Sequence, residues 1–264
     1  LIQRDKVIGH MLEHLGASLR EVFRPFTPEG GAYGHGRTHA HEHGATAHAH
    51  CMARCMSDLL TLTQWLSPAF PVGAFAFSHG LESAISDGRV HDNASLEAWL
   101  QDLLAFGSAR SDVVLLASAY KSHDPSDVHS TAVAFQSSAE RVEETLQLGA
   151  SFCRTVRDVW ALDLPDLAYP VAVGRAAALR EISLEDTATL YAHAFLANLV
   201  SAAIRLVPLG QTEGQAVLAR TQRDCEQLGK DALGFSLGDL ASASFLSDIQ
   251  AMRHETLSPR IFQS

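Results

Sequence analysis

The chain has 264 residues, 47% hydrophobic and 19% charged, with 30 acidic against 20 basic side chains and a net charge of −10. This balance excludes the basic face that nucleic-acid binding needs, and no apolar run reaches the ~18 residues of a membrane span. Cysteines at 51, 55, 153 and 225 are too few for a disulfide scaffold at this length, so reduced thiols and a cytoplasmic setting are expected. The first residues lack the cationic start and apolar core of a secretory signal. With Leu1 in place of Met, the true start is expected to lie upstream.

Residues 1–26 read as a short αβ fragment. Apolar residues at 7, 8, 11, 12 and 15 share one helical face, and Gly16 ends it. Ala17 to Phe26 alternates as a short strand closed by Pro25 and Pro28. About 25 residues cannot fold alone, so this segment is expected to be the end of a domain.

Residues 27–56 are rich in Gly, Ala and His, and a disordered linker is expected. His35, His39, His41, His43, His48 and His50 crowd a stretch with no apolar residue larger than Ala. Such a stretch buries no core. Neutral imidazole suits Ni, Cu and Zn, and His-x-His spacing lets several rings converge on one ion. A purification tag or low complexity is the bland alternative, but tags place histidines consecutively.

Residues 57–264 read as helix throughout, and the fold class expected is an all-α bundle of about 8–10 helices. Ser57 caps a first helix that Pro68 ends, and a loop with Pro71 and Gly73 follows. Further helices are expected over about 78–86, after a cap at Asn93 or Ser95 with Leu96, Trp99, Leu100, Leu103 and Leu104 inward, and over Val113–Ser122, capped by Ser111. Segments at 126–137, 139–162 and Val171–Glu181 come next. Ser183-Leu-Glu-Asp186 resembles a capping box. It opens the most apolar helix, which Pro208 terminates and which belongs at the centre of the bundle. Thr212–Leu228 and Ala243–Glu255 complete the set.

Catalytic signatures are lacking. The chain has no phosphate loop, no H-E-x-x-H pair and no G-x-S-x-G elbow. His254 and Glu255 are adjacent on a helix and do not face each other. Cys153 and Cys225 read as small packing residues, and His193 as a hydrogen-bonded core histidine. Chemistry alone therefore gives a helical binding protein with a metal-binding segment.

Three stretches are more specific. Leu62-Thr-Gln-Trp-Leu-Ser-Pro-Ala-Phe-Pro-Val-Gly-Ala-Phe-Ala-Phe-Ser-His-Gly-Leu-Glu82, Arg205-Leu-Val-Pro-Leu-Gly-Gln211 and Arg253-His-Glu-Thr-Leu-Ser-Pro-Arg-Ile-Phe-Gln-Ser264 occur in order. They resemble three signatures of the urease accessory protein UreF family, over about 57–264. His14 to His39 is similar to the C-terminal end of the nickel metallochaperone UreE family, which closes a ferredoxin-like domain with a His-rich tail. A UreE–UreF fusion, a read-through of adjacent genes and a misplaced start all fit this order, and Met52 or Met56 fits an independent start.

The UreF resemblance implies an all-α homodimer that makes and breaks no bonds and needs no cofactor. It implies a scaffold joining UreH (also called UreD) and the GTPase UreG on the urease apoprotein, gating GTP hydrolysis by UreG during nickel insertion and passing nickel along an internal path. Ni²⁺ would be held transiently by the His-rich segment. The implied partner-binding residues are Pro68, Pro71, Gly73, Glu82, Arg205, Gln211, Arg253, His254, Glu255, Arg260 and Phe262. Pro68 and Pro71 stiffen an exposed loop, Glu82 presents a carboxylate, and Arg205 stands where the family often has Lys. The short apolar tail after Pro259 is expected to dock on UreH and to order there. The competing readings are a stand-alone nickel store or metal sensor acting through the histidines, and a helical hydrolase.

Overall fold

The computed structural model describes residues 56–264. The expected αβ fragment at 1–26, almost all of the linker and all six of its histidines lie outside the described residues. Within them the all-α expectation holds: helices dominate and no strand occurs among the described residues.

Helix α1 covers 56–65, and a loop with one 3₁₀ turn at Ala74–Ala76 follows. Then come α2 (Leu81–Ser86), α3 (Asn93–Phe106), α4 (Ser108–Lys121), α5 (Ser126–Ala134) and α6 (Ala139–Trp160). The second half holds α7 (Tyr169–Leu179), α8 (Leu184–Leu206), α9 (Gln211–Arg220), α10 (Gln222–Asp231) and α11 (Phe245–His254).

The most apolar helix does lie at the centre. α8 packs against α2, α3, α4, α7, α9 and α10. By length and composition α8 alone among the described helices is able to cross a membrane. Leu196, Leu199, Ala202 and Ala203 are fully buried inside the bundle, which is the behaviour of a core helix. The Ser183 hydroxyl accepts from the Asp186 N–H at 3.2 Å, as its sequence predicts. α4 is buried on nearly every side, from Ser111 to Ala119, and lies along α7, so close at Gly174 that a Cβ there would come within 2.2 Å of the Leu116 carbonyl oxygen. Trp65 ties α1 to α6 by edge-on contacts with Phe152 and Trp160, at centroid distances of 5.5 and 5.7 Å. Each such pair adds about 0.5–1.5 kcal/mol beyond its buried area.

Four local expectations need correction. Asp92, not Asn93 or Ser95, caps α3: its carboxylate accepts from the Ser95 N–H while Ser95 Oγ receives the N–H of Asp92. α4 starts at Ser108, directly after the extended Gly107, and the Ser111 hydroxyl instead donates to the Gly107 and Ala241 carbonyls. α6 stops at Trp160, short of the expected 162, because Ala161 adopts a left-handed φ of 53°. The expected helix from Thr212 to Leu228 is two helices. They break at buried Thr221, whose hydroxyl bonds back to the Leu218 carbonyl at 2.9 Å and competes with the helical ladder. Cys153 and Cys225 are buried and free, and burial pushes their thiols up to about 11 and about 12, so they pack rather than react.

Candidate functional site

The three sequence signatures converge on the C-terminal tail. Ser67 Oγ accepts from the Ala69 N–H at 3.1 Å, and Pro68, Pro71 and Phe75 around this turn are exposed. Gly73 holds φ at 85°, which Cβ-bearing residues resist. The loop leads through His79 and Gly80 into α2. Gly80 permits that path, because a Cβ there would lie 2.6 Å from the backbone nitrogen of Ala251 on α11.

Glu82, on the first turn of α2, is buried at 6% exposure. Its Oε1 accepts from the Ile261 N–H at 2.7 Å, and its Oε2 from the Phe262 N–H at 2.9 Å. Fully buried His254 sits between two carboxylates, with Nε2 3.1 Å from Glu82 and Nδ1 2.7 Å from Glu140. Arg260 pairs with the other oxygen of Glu140. Phe262 is inserted in the core at 2% exposure, with the Arg205 guanidinium 4.5 Å above its ring. Arg205 also donates to the Phe75 carbonyl at 3.2 Å. The Gln263 N–H bonds to the Ala76 carbonyl at 2.8 Å, and the Ser78 N–H to the Ser264 carbonyl, also at 2.8 Å. Around this clasp, Arg253 pairs with Asp87 at 2.6 Å, and Glu255 accepts from the Ala139 N–H at the start of α6.

This geometry corrects the reading of several residues. Glu82 presents no carboxylate to the outside. It is spent on the chain's own tail, because a buried charge needs donors and two tail amides supply them. His254 and Phe262 are likewise buried and cannot meet a partner without unpacking. The tail does not wait for a partner to order it: its backbone is bonded to the loop and to α2. Arg205, Arg253, Glu255 and Arg260 keep exposed surface, and Gln211 is exposed at the start of α9, with no hydrogen bond tying it to the tail. Ile261, 71% exposed beside buried Phe262, faces outward. α11 adds exposed Phe245, Ile249 and Met252.

Sequence reasoning missed Glu140, Arg141 and Glu144 on α6. The Ser264 hydroxyl donates to Glu144 at 2.7 Å, and Arg141 and His79 approach the same carboxylate at 2.5 and 3.0 Å. Burial works to raise Glu144, but Arg141, His79 and the Ser264 hydrogen bond outweigh it and bring the carboxyl down to about 2. Burial, aided by Arg141, lowers His79, so its ring is neutral near pH 7. The available signal was the i, i+4 spacing of Glu140 and Glu144, which puts both carboxylates on one helix face. His193 is also corrected: it is half-buried and makes no hydrogen bond to a described residue, and burial lowers its pKa. Among the described residues no group of three or more His, Cys, Asp or Glu is placed to hold a metal ion.

Comparison with known proteins agrees with the motifs. Residues 90–222 match the UreF family, and residues 1–50 match the UreE urease accessory protein, C-terminal domain. A urease accessory protein UreF of Roseobacter denitrificans is 49% identical over 221 residues, covering 83% of this chain and 100% of that protein. Its counterparts in Cereibacter sphaeroides and a Ruegeria species are 50% and 51% identical, each covering 78% of this chain and 98% and 97% of their own length. The chain belongs to the urease accessory protein UreF family, and its role lies in urease maturation.

Proposed function

We propose that this chain is a non-enzymatic scaffold in the cytoplasm that, as a homodimer, joins UreH/UreD and the GTPase UreG on the urease apoprotein for nickel insertion and gates GTP hydrolysis by UreG. The observation that carries the reading is the clasp. Glu82, Ser78 and Ala76 bind the tail to the proline-bearing loop, so elements nearly 200 residues apart form one surface. That surface bears Phe75 at 63% and Ile261 at 71% exposure, and Arg205 bonds to the Phe75 carbonyl and covers the ring of Phe262. Large apolar side chains on a fixed backbone beside a guanidinium are the composition of an interface centre. It is a surface for recognition, and it holds no nucleophile with an activating base.

In this reading residues 57–264 form the scaffold unit, 1–26 are a UreE-like segment, and 27–56 link the two. Nickel is cargo: His35, His39, His41, His43, His48 and His50 hold it near the scaffold. The test is capture of UreH/UreD and UreG by the full chain, with GTP turnover of the assembled complex as the second readout. Phe75→Asp and Ile261→Asp should abolish capture while leaving the melting temperature unchanged. Full capture by both variants would overturn the assignment of this surface. The match of residues 1–50 to the UreE C-terminal domain keeps a nickel store as the second reading. Urease activation that persists without residues 1–56 separates the scaffold from the store.

A further inference from the structure

A cavity of about 420 Å³ lies beneath the Ser67–Phe75 loop, between α1, α4, α6, α7 and α8. Apolar side chains make up much of its wall: Leu62 from α1, Leu66 just after it, Val72 from the loop, and Leu190 and Ala194 from α8. Its charged lining groups are Asp112, Arg141 and Glu144, with His79 and His193 also on the lining. Asp112 of α4 is 5% exposed and takes one hydrogen bond, from the Tyr191 hydroxyl to Oδ2 at 2.9 Å. Its second oxygen accepts from no described residue. The ring of Tyr169 stands 5.6 Å from that of Tyr191, and its hydroxyl is also without a partner among the described residues.

The charges of these lining groups do not cancel. Arg141 is held against Glu144 at 2.5 Å, and His79 is neutral near pH 7. Asp112 therefore adds a carboxylate with no cation of its own, in a space walled by hydrocarbon. Burial pushes Asp112 up to about 6, although Arg141 and the Tyr191 hydrogen bond pull the other way. An anion is disfavoured here, since it would face Asp112 while the one guanidinium is already engaged. A cation with several N–H donors satisfies both the free carboxylate oxygen and the phenol.

We propose that this cavity is a binding site for a small primary amine carried on an apolar body of arylalkylamine size. Its ammonium would bond to Asp112 and Tyr169, and its body would lie along Leu62, Leu66, Val72 and Leu190. Cavities of about 300–1,000 Å³ with few, convergent polar groups are the usual form of small-molecule sites. The ionisable groups facing the ammonium are Asp112 from α4, Arg141 and Glu144 from α6, His79 before α2, Tyr169 from α7, and Tyr191 and His193 from α8. Of the carboxylates, Glu144 is held ionised far below neutrality, to about 2, so Asp112 is the carboxylate that changes charge between pH 7.5 and 5.

The experiment is isothermal titration of the full chain with 2-phenylethylamine and with its neutral analogue 2-phenylethanol. At pH 7.5 the amine should bind one-to-one and at least tenfold more tightly than the alcohol. The amine's affinity should fall tenfold or more by pH 5, where Asp112 takes up a proton while the ligand stays cationic. Asp112→Asn should remove the preference for the amine and leave the alcohol's weak binding. Ala194→Phe, which fills the cavity, should abolish both, with helical circular dichroism unchanged. Equal affinity for amine and alcohol, no heat from the amine at millimolar concentration, or amine binding that survives Ala194→Phe would each overturn the proposal.

Discussion

Replacing Phe262 by Ala should cost this protein much of its stability, although the residue stands two positions from the chain end. The ring is 2% exposed and belongs to the main core cluster. Core Phe→Ala changes cost about 3–5 kcal/mol through lost burial and the cavity left behind. The lower end applies, because one face of the ring meets the exposed Arg205 guanidinium and water can reach part of the void. About 3 kcal/mol corresponds to a fall in Tm of roughly 6–12 °C for a folded unit of this size. Deleting Pro259 to Ser264 should cost at least as much, since it also strips Glu82 of the Ile261 and Phe262 amides and leaves a buried carboxylate short of donors. This reverses the expectation drawn from sequence, under which the tail orders only on docking to UreH. Thermal melting followed by far-ultraviolet circular dichroism is the assay, with Ile261→Ala as the control. That side chain is 71% exposed, and its loss should shift stability within about 0.5 kcal/mol. A Phe262→Ala melt within 2 °C of the parent would refute the clasp.

The buried carboxylates make opposite predictions about pH. Glu144 is held at about 2, below its ordinary 4.5. Its contribution to stability is therefore present above about pH 4.5 and drains away as pH falls towards 2, so Glu144→Gln should lower Tm at pH 7 and converge on the parent near pH 2. Asp112 is raised from 3.8 to about 6, so its favourable, protonated state is lost as pH rises through that range. Asp112→Asn should raise Tm at pH 8, on the order of 1–3 kcal/mol of added stability, and should change little at pH 4. Gly80→Ala should destabilise by more than about 1 kcal/mol, because φ is +77° and the new Cβ would lie 2.6 Å from the Ala251 nitrogen; a neutral melt would contradict the close approach of α2 and α11. A peptide of residues 33–56 should bind Ni²⁺ at pH 7.5 and release it below the ordinary imidazole pKa of ~6.5. Equal binding at pH 5 would exclude imidazole ligation.

The fold was legible where one segment's own pattern decides the outcome. Leu96, Trp99, Leu100, Leu103 and Leu104 repeat on one helical face, and all five are buried in α3. Ser183 caps the central helix because its hydroxyl needs only the next turn. Thr221 was not legible, since a threonine inside a helical period gives no local sign that its hydroxyl will break the ladder. The clasp was hidden for a stronger reason. Glu82 and Phe262 lie 180 residues apart, and each read alone is ordinary: a charge on a helix is usually solvated, and an apolar tail without a helix looks free. Glu140 and Glu144 were passed over on the same ground.

The signatures themselves therefore mix two kinds of residue, and burial separates them. Gly80, Glu82, His254 and Phe262 hold the loop and the tail together from inside, and any of them exchanged should act first on shape. Pro68, Pro71, Phe75, Arg205 and Ile261 lie on the outer side of the same junction. A partner that recognises the outer set recognises the closed clasp, because the segments carrying Phe75 and Ile261 are joined by the bonds of Gln263 to Ala76 and of Ile261 and Phe262 to Glu82. Inner substitutions should thus weaken capture in proportion to the stability they remove, whereas outer substitutions should weaken capture at constant stability. Plotting capture against Tm for both sets tests this directly. A single line through all variants would mean that the outer residues contribute only through folding, and the division between inner and outer residues would then be wrong.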